Sequence, residues 1–150
     1  MLIDDVYLIL NRAVLPFWAL LVFVPHAEIT RRLVHSGIVP IVLGLVYVGF
    51  MANSMIVGGP EGAGMGTLEG LMISFTDPQA VVTGWTHYLA FDLFVGAWQV
   101  RDAKRVGIPH LAIVVPVLLT FAAGPLGLMI YLIMRLAWKK RFTLAEGDPA

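Results

Sequence analysis

The sequence predicts an all-α protein, a polytopic four-helix transmembrane bundle with one short interfacial or re-entrant helix. Three observations predict it. Of 150 residues, 59% are hydrophobic and 13% charged, against about 45–50% and about 25% in soluble domains. The mean hydropathy is +0.84. Four segments also reach the roughly 20 mostly apolar residues that a helical span requires. A core of this size cannot hide so much apolar surface from water, so a soluble all-α domain is the poorer reading.

The first span is expected over about 5–25 (VYLILNRAVLPFWALLVFVP at its core). It holds Asn11, Arg12 and Pro16. The start, MLIDDVY, lacks a basic leader region, and no small-residue cleavage site follows, so the segment reads as a retained span. The second span is expected over 37–57, with Ser36 as its N-cap and Gly58-Gly59-Pro60 as its stop. Residues 67–75 follow the glycine-rich stretch GGPEGAGMG and are too short to span. They read as the short helix. The third span, 78–103, opens on Asp77-Pro78, a cap followed by proline at the first helical position. The fourth, 109–138, is long for one crossing. Pro116 and the run Gly124-Pro125-Leu126-Gly127 should kink it. All 150 residues form one transmembrane domain in this reading, with no separate soluble part.

With four crossings, Arg31, Arg32, Arg101, Lys104 and Arg105 fall on one side of the membrane. Arg135, Lys139, Lys140 and Arg141 fall on the other. The positive-inside rule counts Lys and Arg only, and this split nearly balances. The Arg31/Arg32 side is taken as cytoplasmic, in a bacterial inner or intracytoplasmic membrane.

The third span carries the chemistry. His87 and Asp92 lie near its middle, where a carboxylate costs roughly 2.5–3.5 kcal/mol on insertion scales. Both are expected to be shielded from lipid. Ala80, Gly84, Tyr88, Asp92 and Gly96 fall four apart and form a stripe on which another helix can pack closely. Asp92 reads either as a buried packing anchor or as a proton acceptor or ligand contact. His87 sits about 140° away from it, with Phe91, Phe94 and Trp98 on its own face. An imidazole among aromatics suits a pigment, polyene or quinone pocket, and equally a bond to a neighbouring helix. Tyr47, Asn53 and Ser54 add polarity to the second span.

Several chemistries find no support. There is no cysteine, hence no thiolate nucleophile, disulfide or iron–sulfur cluster. No metal-ligand spacing stands out, and the four glutamates do not form a di-iron pattern. No nucleotide fingerprint or nucleic-acid-binding face is present. Membrane lipids and other membrane subunits remain as partners.

The run W-T-H-Y-L-A-F-D-L-F-V-G-A-W at 85–98 resembles the abscisic-acid-deficient-four-like family of small membrane proteins. The likeness continues through Asp102, G-I-P-H at 107–110 and T-F-A-A-G-P-L-G-L-M-I-Y at 120–131. Upstream it takes in N-R-A-V-L-P-F-W at 11–18 and V-P-I-V-L-G-L-V-Y at 39–47. One departure is Ala97, where many bacterial relatives carry arginine. Plant members of that family are associated with neoxanthin synthesis from violaxanthin. The resemblance therefore implies a carotenoid-related role, with Trp85, His87, Asp92, His110 and Asn11 at a shared site and Tyr88, Phe91 and Trp98 against the ligand. One reading is a carotenoid isomerase or an essential part of one. A carboxylic acid at Asp92 would protonate an epoxide oxygen and His87 would remove a carbon-bound proton, with no redox cofactor. The other reading is a non-catalytic pigment- or lipid-binding subunit of a larger complex, in which His87 meets a carotenoid or a chlorophyll-type pigment.

Overall fold

The computed structural model describes residues 2–140 and 143–144, and among these every regular element is a helix. The helices are α1 (Ile3–Phe23), α2 (Glu28–Leu33), α3 (Ile38–Val57), α4 (Leu68–Ser74), α5 (Pro78–Val106) and α6 (His110–Lys139). Three stretches are long and apolar enough to cross a membrane: Ile3–Phe23, Glu28–Val57, which contains α2 and α3, and His110–Lys139. The chain divides into two compact units, Met1–Pro16 with Gly37–Phe91, and Phe17–Ser36 with Asp92–Ala150.

In the first unit local chemistry sets most helix ends. Asp4 and Asp5 complement the positive end of α1. Gly58 ends α3 with φ 83°, a conformation that costs glycine little. The Thr67 hydroxyl accepts from the Gly70 amide at 3.0 Å and starts α4. Asp77 starts α5 as expected, its Oδ1 accepting from the Gln79 amide at 3.0 Å. Gln79 then ties α5 to α3. Its amide donates to Ser54 Oγ at 2.8 Å and accepts from Asn53 at 2.9 Å. The Ser36 hydroxyl donates to the carbonyls of Arg32 and Leu33 at the end of α2, and Gly37 stands at the N-cap position of α3.

The second unit is built around the bend in α6. Backbone geometry leaves the helix at Ala123 (φ −158°, ψ 73°), two residues before Pro125, which has no N–H to give. Along α5, Gln99 pairs with Thr120 of α6 through bonds of 2.9 and 3.1 Å. Two turns earlier in α5 and one turn later in α6, the Asp92 carboxylate lies on Gly124. The stretch 110–122 therefore runs against α5. Beyond the bend the order reverses. Gly124 meets Asp92, Tyr131 meets Trp98 with ring centroids 5.5 Å apart, and Arg135 meets Asp102 at 2.6 Å. The stretch 124–139 runs with α5, so α6 is a helical hairpin. A Cβ on Gly127 would overlap Thr120 and the Pro116 carbonyl, so glycine is what lets the two arms touch.

The expectation of one kinked crossing over 109–138 is thus corrected to two antiparallel arms. At 1.5 Å per residue these are about 20 and 24 Å long. The correction reaches the charges as well. Arg135 does not lie at the far end from Asp102 and Arg105 but folds back beside them. The remaining core is ordinary packing. Trp18 lies flat against Gly96, where a Cβ would come within 2.6 Å of its ring, and its indole meets Phe121 at 5.3 Å.

Candidate functional site

The first unit contains a groove of about 410 Å³ between α3, α4, α5 and the glycine-rich loop. That volume falls in the range of sites for one small molecule, or one end of a longer one. Its walls are chiefly apolar, from Met51, Met65, Leu71 and Phe75. Polar groups enter from Tyr47, Ser54, Thr83 and His87. Two of these are already engaged. Ser54 accepts from Gln79, and Thr83 donates to the Gln79 carbonyl at 2.7 Å.

His87 is exposed at the edge of this groove. Its ring stands 4.5 Å from Phe91 and 5.8 Å from Tyr47 between centroids. No hydrogen bond to the imidazole is found among the described residues, so both ring nitrogens can address whatever occupies the groove. Helical spacing explains the placement, since Thr83, Gly84 and His87 are neighbours on one face of α5. A Cβ on Gly84 would sit in ordinary contact, 3.5 Å from Phe75. At Gly84 the small-residue stripe therefore opens onto the groove rather than seating another helix.

Asn11, Trp85 and Tyr88 form a second cluster in the same unit. The Trp85 indole N–H donates to Asn11 Oδ1 at 3.0 Å, and the Asn11 amide donates to the Tyr7 carbonyl at 2.9 Å. Trp85 stacks on Tyr88 at 5.1 Å and meets Tyr7 at 5.9 Å. Asn11 thus bonds both a half-buried indole and a helix carbonyl. Trp85 is held in place by a specific bond.

Asp92, Trp98 and His110 belong to the second unit. Asp92 is buried against Gly124 at the α6 bend. Trp98 meets Tyr131 edge-on. His110 Nε2 lies 2.9 Å from the Val22 carbonyl, which requires the proton on that nitrogen. Its Nδ1 is buried without a hydrogen-bond partner among the described residues. The His26 ring stands 6.2 Å away, and His35 bonds the Pro25 carbonyl at 3.0 Å and Arg101 at 3.4 Å.

The most connected polar group was not singled out from the sequence. Asp102, with 1% of its side chain exposed, takes bonds from Tyr131 (2.6 Å), Arg135 (2.6 Å) and Arg105. Gln99 and Thr120, both fully buried, were missed too. A glutamine inside an apolar run was the available signal.

A family model described as ABA DEFICIENT 4-like matches residues 5–131. Among curated proteins, the chain is similar to "Protein ABA DEFICIENT 4, chloroplastic" of Arabidopsis thaliana. The two are 31% identical over 107 residues, or 66% of this chain and 47% of the relative. The chain spans about half the length of that relative. No solved structure matches it. The relative's name gives no support to the expected bacterial inner membrane; the membrane character itself rests on the apolar helices.

Proposed function

The chain belongs to the ABA DEFICIENT 4-like family, and from that premise we propose that it acts on a carotenoid within a membrane, with the groove of the first unit holding one end of the polyene. The observation that carries the reading is His87, set at the rim of an apolar groove with no hydrogen bond of its own among the described residues. An apolar trough suits a polyene, and a single unsatisfied imidazole beside it supplies the proton-transfer group that opening a carotenoid epoxide to an allene requires. Asp92, packed on Gly124 in the second unit, is assigned to holding the α6 bend instead of to proton donation. Phe91 and Tyr47 flank His87 and would contact the ligand. Trp85, Tyr88 and Asn11 would fix that part of α5 from its other side. α4 is read as an interfacial piece that closes the groove.

The same imidazole favours a second reading, a non-catalytic pigment-binding subunit, because a nitrogen with a free lone pair can also ligate a pigment metal. One experiment separates the two. The purified protein in lipid is given carotenoid, and both product formation and the absorbance of retained pigment are measured for wild type and His87→Gln. The first reading expects wild-type conversion, with His87→Gln retaining carotenoid but losing turnover. Retention without turnover in wild type, with the pigment band shifted in His87→Gln, supports the second. Neither turnover nor retention in wild type would sink both.

A further inference from the structure

The hairpin of α6 gathers charge at one end of the second unit. Asp102 ties the end of α5 to Arg135, and α6 runs on past that contact to Lys139 and Lys140. The exposed Lys104 sits on the same end of α5. It stands near His26, whose imidazole is held below the ordinary histidine value first by burial and then by the Lys104 and His110 charges. Most of the cations there already have partners. Arg31 and Arg32 pair with Glu28, Arg105 and Arg135 with Asp102, and Arg101 meets His35. Lys104, Lys139 and Lys140 make no ion pair among the described residues.

We propose that this end of the second unit is a docking surface for the phosphates of anionic lipid headgroups, with Lys104, Lys139 and Lys140 as the charges that hold them. Charge complementarity is the argument. Lys139 and Lys140 stand at the end of a stretch long and apolar enough to cross a membrane, with Lys104 near the end of α5 that Asp102 ties to it, and basic clusters at headgroup depth recruit anionic lipid. Arginine pairs on Asp102 and Glu28 leave lysine, a compact point charge, to meet the phosphate. The inference does not depend on the carotenoid reading.

The test uses the whole chain reconstituted at low salt in phosphatidylcholine containing a minor share of phosphatidylglycerol. Lipid retained through purification is then identified by mass. Phosphatidylglycerol should be enriched over its bulk share in wild type. The triple variant Lys104→Gln, Lys139→Gln, Lys140→Gln should return to the bulk ratio, and the triple Lys→Arg variant should keep the enrichment. Absence of enrichment in wild type overturns the proposal, as does unchanged enrichment in a glutamine variant of wild-type helicity. Should the glutamine variant lose helicity, wild type in high salt decides. Loss of enrichment there supports the surface, because exposed charges are screened, and persistence overturns it.

Discussion

Asp92 illustrates how a costly residue is retained at depth. Its carboxylate occupies the space that a side chain on Gly124 would need, at the point where α6 leaves helical geometry. Gly124→Ala would drive a methyl group into that carboxylate and should cost about 1–3 kcal/mol, the usual range for overpacking. Thermal unfolding in detergent measures it. Asp92→Ala should relieve much of the penalty in the double variant, because residues in direct contact couple. Additive losses would mean that Gly124 is limited by something other than Asp92. His87 differs in kind. Nothing among the described residues bonds it, so His87→Gln should leave the melting temperature nearly unchanged. A large loss of stability would contradict its placement at a groove rim. From the sequence, both residues were legible as exceptional, because ionisable groups in apolar runs are expensive. Their separation into a packing anchor and a groove residue was not, since it depends on Gly124, thirty-two positions downstream of Asp92.

Among the elements, those set by local chemistry were readable in advance. Asp77-Pro78 announced α5, and the glycine-rich stretch before residue 67 announced α4. Each is satisfied by its own neighbours, through the Asp77–Gln79 and Thr67–Gly70 bonds. Ser36 stands between two helices, and the carbonyls of Arg32 and Leu33 at the end of α2 take its hydroxyl proton. Gly124-Pro125 announced a kink in α6 but not a reversal. Proline removes a hydrogen bond; the fold-back needs distant contacts, Gln99 with Thr120 and Asp102 with Tyr131 and Arg135. Those contacts make a clear prediction. Asp102→Asn would leave Arg135, with 6% of its side chain exposed, facing a neutral amide. Breaking such a buried pair costs about 3–5 kcal/mol, so the variant should melt well below wild type. Tyr131→Phe removes one hydrogen bond to a charged group and should cost less, about 1.5–3 kcal/mol. An Asp102→Asn protein as stable as wild type would mean that the hairpin is held without the cluster.

For the molecule as a whole, the decisive quantity is where its charge lies. The net formal charge is zero, yet the described residues of the first unit include Arg12 as their one Lys or Arg, together with Asp4, Asp5, Glu61, Glu69 and Asp77. Every other described Lys and Arg belongs to the second unit. A straight fourth crossing would have divided those cations between two membrane faces and left orientation open, as the sequence alone did. With α6 folded back, the ends of α5 and of the second α6 arm come together around Asp102. Neither arm, at about 20 and 24 Å, matches the roughly 30 Å hydrocarbon core, so the hairpin should enter the bilayer and return. The positive-inside rule then gives an unbalanced count and one preferred orientation, with the Asp102 end on the side from which the chain is inserted. The absence of cysteine makes the consequence simple to measure. Single variants Lys104→Cys and Lys140→Cys, in sealed vesicles of uniform orientation, should react with a membrane-impermeant maleimide from the same side. A straight α6 requires opposite sides. Labelling of position 104 from one face and position 140 from the other would restore the fourth crossing and remove the charge asymmetry on which both the orientation and the lipid surface depend.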